Sequence, residues 1–215
     1  MTPSAPTRPE EHGIGARLTA SVMRDDYVAV LSDALLAAGA QADLTTIETD
    51  HVSTFVRGDE DALLRYTGAV VAELAATGAH AMVHLLLSRG CPGEVACSPT
   101  DVCERSPGTV TSLPPTGHEI TAQWSLYPLS DRHMDAIEEA ISDVRGAGLV
   151  TTPRHYVTEH VGDVGEVLTA IVQGWLWAGR GVAHTVAHAT VSINHPSTDD
   201  LRASIAAHQR YEDAR

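Results

Sequence analysis

Histidine, serine and glutamate recur at even spacings near the end of the sequence. His184, His188 and Ser192 follow one another at intervals of four residues, and His155 and Glu159 show the same interval. In a β-strand, residues two or four apart project from the same face of the sheet. Imidazole, hydroxyl and carboxylate groups on one face would offer hydrogen-bond donors and acceptors to a small polar molecule.

The same polar spacing occurs earlier in the chain because the sequence contains an internal duplication. At an offset of 104 residues, His51–Pro92 aligns with His155–Pro196, and His84 aligns with His188. Upstream of these stretches the offset becomes 106. A repeat of this length indicates a duplicated domain rather than a solenoid of shorter units. A site in one repeat therefore predicts a related site in the other.

Hydrophobic periodicity predicts the same six elements in both repeats. Asp25 and Asp59 are expected to cap the two helices of repeat 1. The order strand, helix, strand, strand, helix, strand occurs twice, which predicts an α+β protein of tandem ferredoxin-like repeats with antiparallel sheets. The predicted strands span 15–22, 44–49, 51–57 and 79–88, then 121–128, 149–153, 155–161 and 182–193, and the predicted helices span 25–38, 59–77, 131–147 and 163–178.

These elements divide the chain into two repeats and three other segments. We expect a disordered tail at 1–13, repeat 1 at 14–90, a linker rich in Pro, Gly, Ser and Thr at 91–117, repeat 2 at 118–196, and a polar tail or short helix at 197–215. The polar, Pro-rich first residues lack the apolar core of a signal peptide. No run of about 18 apolar residues predicts a membrane span, so a cytoplasmic location is expected.

The last strand of repeat 1 has one unbroken apolar face, formed by Ala81, Val83, Leu85 and Leu87, which we expect to lie under the helices. The residues between them must face away, and the same alternation predicts a polar, helix-free face in both repeats. In repeat 1 the predicted ligand-binding residues are Arg17, Thr19, Ser21, Asp50, His51, Ser53, Arg57, His84 and Ser88. In repeat 2 they are Gln123, Ser125, Tyr127, His155, Glu159, His184, His188 and Ser192. A plain solvated sheet face with incidental histidines is the alternative interpretation.

Catalysis is poorly supported by this residue set. The chain has no glycine-rich phosphate loop. Acidic residues are rare on the predicted faces, so few side chains there could act as a general acid or base. We therefore expect a non-catalytic binding protein, with no catalytic residues and no cofactor.

Metal binding is the other chemistry that histidines and cysteines suggest. Residues four apart on a strand are about 13 Å apart, too far to share one zinc ion. A cross-strand pairing of His51 with His84 stays open. Cys91, Cys97 and Cys103 are spaced by six residues without a CxxC pair, which favours reduced thiols over a disulfide framework or a zinc site. No metal ligands are predicted.

Charge and size limit the partners. The formal net charge of −14 and the pI near 5.1 argue against nucleic acid and anionic membranes, which require clustered basic residues, but they permit a cationic ligand. Each repeat has roughly 80 residues, a size at which additional burial is usually needed, so we expect a homodimer.

Four short motifs resemble the YkoF family of thiamine- and hydroxymethylpyrimidine-binding proteins. In chain order they are TDHVSTFVRG at 49–58, GCPGE at 90–94, WSLYPLSD at 124–131 and HYVTE at 155–159. The resemblance extends from about Gly15 to Ser197. It implies a homodimeric cytoplasmic protein of two ferredoxin-like repeats, each with a site for the pyrimidine moiety, and a role in uptake or handling of the vitamin B1 precursor.

The two repeats differ at one point of the family pattern. Repeat 2 keeps the Leu-Tyr-Pro sequence of its first strand at 126–128, whereas repeat 1 has Ala-Ser-Val at 20–22. We therefore expect repeat 2 to bind thiamine more tightly. Glu159 can accept a hydrogen bond from the pyrimidine amine, and Tyr127 or His155 can stack on the ring. Gln123, Ser125 and Ser192 can complete the polar edge.

Two other functions remain open at this point. One is an enzyme or sensor for another small heterocycle on a dimeric α/β-barrel-like scaffold. The second is a metal-handling protein that uses the three cysteines and the histidines.

Overall fold

The structure is a computed structural model that describes residues 9–95, 108–146, 148 and 151–213, with the backbone alone at 211–213. Repeat 1 contains β1 (Gly15–Val22), α2 (Tyr27–Gly39), β2 (Thr46–Thr49), β3 (Thr54–Arg57), α3 (Glu60–Ala76) and β4 (Ala81–Arg89). Repeat 2 contains β5 (Glu119–Pro128), α4 (His133–Gly146), β6 (Thr151–Pro153), β7 (Thr158–Asp163), α5 (Val164–Ala178) and β8 (Thr185–Ile193). A helical turn, α1 (Pro9–His12), precedes them, and α6 (Thr198–Asp213) follows.

All of these strands belong to one antiparallel sheet with the order β2-β3-β1-β4-β8-β5-β7-β6. Each repeat contributes four neighbouring strands in the ferredoxin-like order, which confirms the predicted fold class. The two repeats meet where β4 pairs with β8 along its whole length, from Ala81 opposite Ile193 to Arg89 opposite Thr185. This pairing makes the two helix-free faces continuous.

Helices α2 to α5 all pack on one face of the sheet. None of these four helices covers the opposite face, which is called the helix-free face below. On the covered face of β4, Ala81, Val83, Leu85 and Leu87 are buried, as their alternation predicts. At the seam between the repeats α3 packs against α5, so the two halves share one core. Each fully buried aliphatic side chain contributes about 1.5–3 kcal/mol to this core.

An aspartate precedes both helices of repeat 1, but only one of the two caps its helix. The Asp59 carboxylate accepts from the Ala62 amide at 2.7 Å, so the predicted cap of α3 is confirmed. The predicted cap of α2 is wrong. This helix begins after Asp26 rather than Asp25, and the Asp26 carboxylate instead forms a salt bridge with Arg24 at 2.7 Å.

The third strand of each repeat is shorter than predicted. β3 begins at Thr54 and β7 at Thr158, because the residues before them form tight turns. In repeat 1 the Asp50 amide donates to the Ser53 carbonyl at 2.9 Å, and in repeat 2 the Arg154 amide donates to the Val157 carbonyl at 2.9 Å. The Asp50 carboxylate reinforces its turn by accepting from the amides of residues 52 and 53.

The described end of the predicted linker, 108–117, lies over the helices. The Val110 amide donates to Gln173 Oε1 at 2.9 Å, and the amides of Thr116 and Gly117 donate to the Asp163 carboxylate. These hydrogen bonds therefore hold the end of the linker against α5 of repeat 2. Cys97 and Cys103 lie outside the described residues.

The chain ends are partly helical. α1 falls within the segment expected to be a disordered tail, and residues 1–8 lie outside the described part. α6 occupies most of the segment for which a tail or a short helix was expected. Within the described part of the chain, no helix is both long enough and apolar enough to cross a membrane.

Candidate binding site

The helix-free face carries most of the predicted binding residues. The strand residues that alternate with the buried core project from it, and strand pairing aligns them into rows across the sheet. One row runs through Arg17, Leu86, His188 and Ser125. The predicted residues on this face are Arg17, Thr19, Ser21, Arg57, His84, Ser88, Gln123, Ser125, Tyr127, Glu159, His188 and Ser192.

Several predicted residues lie in other positions. Asp50, His51 and Ser53 belong to the turn before β3, and His155 belongs to the turn before β7, so strand alternation does not place them on the face. His184 precedes β8, and partial burial lowers its pKa.

Two equivalent histidines meet at the centre of the face. The rings of His84 and His188 stack with their centroids 6.2 Å apart and their planes inclined by 13°. They lie on β4 and β8, so the contact joins the two repeats. His51 is in the turn of the β2–β3 hairpin, outside the strands, so the cross-strand pairing of His51 with His84 lacks the strand position that it assumed.

A cavity of about 450 Å³ opens on the repeat 1 half of the face. Phe55 lines it, and the guanidinium carbons of Arg17 and Arg57 lie 5.6 and 5.5 Å from the ring centroid. Glycine at position 15 leaves room for this ring, because a Cβ there would lie 3.0 Å from Phe55 Cε2. The aromatic ring and both guanidinium groups are therefore held together in one cavity.

Carboxylates neutralise both arginines. Arg17 Nη1 lies 3.1 Å from Asp50 Oδ2 and donates to Ser53 Oγ at 2.7 Å. Hydrogen bonds from the backbone amides of residues 52 and 53, and then from Arg17, lower the pKa of Asp50. Arg57 forms a short salt bridge with Glu94, which lies on the turn after β4. Phe55 and Glu94 were not predicted as site residues, although both lie within the quoted family motifs.

The repeat 2 half of the face is organised around Glu159. Arg154 donates to its Oε1 through Nε at 3.0 Å and Nη2 at 2.7 Å, and Gln123 Nε2 donates to Oε2 at 3.0 Å. Hydrogen bonds from Arg154 first and Gln123 second lower the pKa of Glu159, so the carboxylate is ionised at neutral pH. Arg154 was not predicted. Its position aligns with Asp50 at the repeat offset, so repeat 1 has an acid where repeat 2 has a base.

Tyr156 is the most exposed large side chain beside this network. It is 99% exposed and has a φ of 68°, a left-handed conformation that is strained for an aromatic residue. Its carbonyl accepts a hydrogen bond of 3.1 Å from Ser125 Oγ, which fixes the turn against the helix-free face. Sequence periodicity missed Tyr156, because the predicted strand included the turn. Tyr127 lies four residues along β5 from Gln123, about 13 Å away.

A second unpredicted contact lies at the other end of repeat 2. Thr121 Oγ1 and His195 Nε2 are 3.0 Å apart. At the repeat offset His195 aligns with Cys91, a free thiol that lines the repeat 1 cavity. Over the described residues, no three side chains of His, Cys, Asp or Glu converge as metal ligands would.

The fold and this face together define the class of protein. It consists of two ferredoxin-like repeats that share one sheet, and it presents a polar sheet face large enough for a small ligand. The chain belongs to the YKOF-related family, whose model matches residues 14–94 and 119–198. It is also 26% identical over 186 residues to the "Putative HMP/thiamine-binding protein YkoF" of Bacillus subtilis (strain 168), covering 85% of this chain and 91% of that protein. The family resemblance indicated by the four motifs is thus confirmed.

Proposed function

We propose that the protein is a non-catalytic binding protein for thiamine or its hydroxymethylpyrimidine precursor, with one site per repeat on the helix-free face. It acts in the cytoplasm as a homodimer that takes part in handling this vitamin. The observation that carries the proposal is the ionised Glu159 on the helix-free face, between Gln123 and Arg154.

Glu159 suits the edge of an aminopyrimidine. The exocyclic amine of this ring donates hydrogen bonds, and the neighbouring ring nitrogens accept them. A carboxylate has about four lone-pair sites, so Glu159 can accept from the amine while it keeps its bonds to Arg154 and Gln123. The guanidinium and amide groups beside it can donate to a ring nitrogen. Its carboxylate is already desolvated on one side, since the Glu159 side chain is only 14% exposed.

The flat face of the pyrimidine requires an aromatic or planar neighbour. Tyr156 joins Tyr127 and His155 as a candidate, and its backbone contacts Ser125 directly. A ring stacked on the ligand would contribute about 0.5–1.5 kcal/mol beyond its buried area. The acidic charge of the whole chain favours the positive thiazolium of thiamine over an anion in this half.

Calorimetric titration with thiamine and with hydroxymethylpyrimidine tests the proposal. We expect saturable binding by the wild type, and a loss of at least about tenfold in affinity in Glu159→Gln, since a charged acceptor contributes about 1.5–3 kcal/mol. Glu138→Gln, on the exposed side of α4, is the matched control and should bind as the wild type does. Failure of the wild type to bind either compound, or chemical conversion of a bound compound during incubation, would contradict the proposal.

A further inference from the structure

We propose that the repeat 1 cavity selects an anionic ligand, namely a flat heterocycle that carries a phosphate or carboxylate group. This proposal rests on the proposed function, which supplies the pyrimidine ring, and it specifies in addition that the ligand of repeat 1 carries a negative charge. According to this proposal the two repeats differ in the charge of the ligand that they prefer. Repeat 1 binds anionic compounds, and repeat 2 binds neutral or cationic pyrimidine compounds.

The two repeats place different side chains at equivalent positions of the helix-free face. Where repeat 2 has Glu159, repeat 1 has Phe55, and the two arginines that flank this ring are replaced in repeat 2 by Gln123 and Val161. Repeat 1 therefore has two guanidinium groups within one cavity and lacks the carboxylate that would accept from a pyrimidine amine at this position. Guanidinium groups bind phosphate and carboxylate through paired N–H donors.

Arg57 is more buried than its counter-ion Glu94, so a ligand anion can replace the Glu94 carboxylate. The Arg57 side chain is 16% exposed and packed beside Phe55, whereas its partner Glu94 is 52% exposed and lies on a turn. An incoming anion can take the place of the Glu94 carboxylate, which then returns to water at little cost. A cation in the same place would repel Arg57, which the packing prevents from moving aside.

The other charged groups at the cavity are carboxylates, which favour an amine on the ring and leave Arg57 as the group that selects the anion. Asp50 does not line the cavity, but its carboxylate lies 3.1 Å from Arg17 Nη1, so an anion inside the cavity has to share Arg17 with Asp50. Glu48 does line it, from the edge strand β2 opposite Phe55, and its exposed carboxylate can accept from a ring amine. Ser88 adds a hydroxyl donor on the β4 side.

The test uses four probes on the full chain: hydroxymethylpyrimidine, its phosphate monoester, its carboxymethyl ether and inorganic phosphate. Titrations are made in the Glu159→Gln background, which weakens the repeat 2 site. We expect the phosphate ester or the carboxylate to bind at least tenfold more tightly than the neutral parent. The more tightly bound of the two identifies the anion, and inorganic phosphate alone should bind weakly.

Two further substitutions connect this preference to the cavity. Arg57→Gln should remove the preference for the anion, whereas Glu94→Gln should strengthen anion binding severalfold because it removes the competing carboxylate. Glu94 is half exposed, so this second variant is expected to fold normally. Arg132→Gln changes an exposed arginine just before α4 that does not line the cavity; it is the control and should change nothing.

Equal affinities for the neutral and anionic compounds, a preference that survives Arg57→Gln, or weaker anion binding in Glu94→Gln would each overturn the inference. The proposed function is judged separately, by whether the wild type binds hydroxymethylpyrimidine or thiamine. A protein that binds the neutral ring without regard to charge therefore keeps the proposed function and loses only the anion selectivity.

Discussion

Tyr156 shows how a single residue can combine backbone strain with a position in the candidate binding site. The left-handed conformation costs about 1–2 kcal/mol for a residue with a Cβ, and glycine would lose roughly 0.5–1 kcal/mol of backbone entropy in its place. We therefore predict that Tyr156→Gly raises the free energy of unfolding by about 0.5–1 kcal/mol, as urea denaturation would measure. The same variant should bind hydroxymethylpyrimidine several times more weakly because the ring is lost.

The residue at the equivalent turn position provides the control for this prediction. Val52 is exposed but has no positive φ, so Val52→Gly should lower stability rather than raise it. A lower free energy of unfolding in Tyr156→Gly would contradict the strain assigned to Tyr156. Unchanged binding of hydroxymethylpyrimidine by the same variant would contradict the stacking role of its ring.

At the scale of elements, β7 buries a histidine on its core side. His160 is 2% exposed, and its ring lies 5.9 Å from that of Trp124. Burial lowers the pKa of His160, and it lowers that of His184 as well. The unfolded chain takes up a proton on each of these histidines near pH 6.5, while the folded chain resists it, so acidification favours unfolding.

We predict that the free energy of unfolding falls as the pH is lowered from about 7.5 to 5.5. The paired carboxylates with lowered pKa, such as Glu159 and Asp163, lose their stabilising contribution only below about pH 4.5, so they do not obscure this range. His160→Phe should flatten the dependence when urea denaturation is repeated at each pH. A variant with the same slope as the wild type would show that His160 does not cause it.

The helix caps offer a second comparison between elements. Asp59 caps α3 through one amide, whereas the Asp163 carboxylate accepts from Gly165 in α5 and also from Thr116 and Gly117 of the linker. We predict that Asp59→Ala costs about 1 kcal/mol of stability and Asp163→Ala about 2–3 kcal/mol. Denaturation of the two variants side by side measures the difference, and equal losses would mean that the linker contacts contribute nothing.

At the scale of the whole molecule, we predict that two chains associate through the continuous helix-free face. Leu86 lies near its centre and is 40% exposed, beside the stacked histidines. We predict a homodimer at micromolar concentration by sedimentation velocity, and dissociation in Leu86→Glu. Leu36→Glu, on the exposed side of α2, should leave the dimer intact. A wild type that sediments only as a 22.8 kDa monomer would contradict this prediction.

The sequence by itself determined the duplication, the ferredoxin-like order and the polar face. These are properties of spacing along the chain, so Gln123, Ser125 and Glu159 could be assigned to one face from alternation alone. The helix that begins at Asp59 was equally predictable, because capping is local.

Only the tertiary structure decided how these local elements meet. The pairing of β4 with β8, which stacks His84 on His188, depends on hydrogen bonds between strands about 100 residues apart in sequence. Turn geometry, rather than periodicity, removed His51 and His155 from the strands and brought Tyr156 next to Ser125 and Arg154 next to Glu159. Alternation assigns a residue to a face but does not specify its neighbours, because those depend on the register between strands and on side-chain packing.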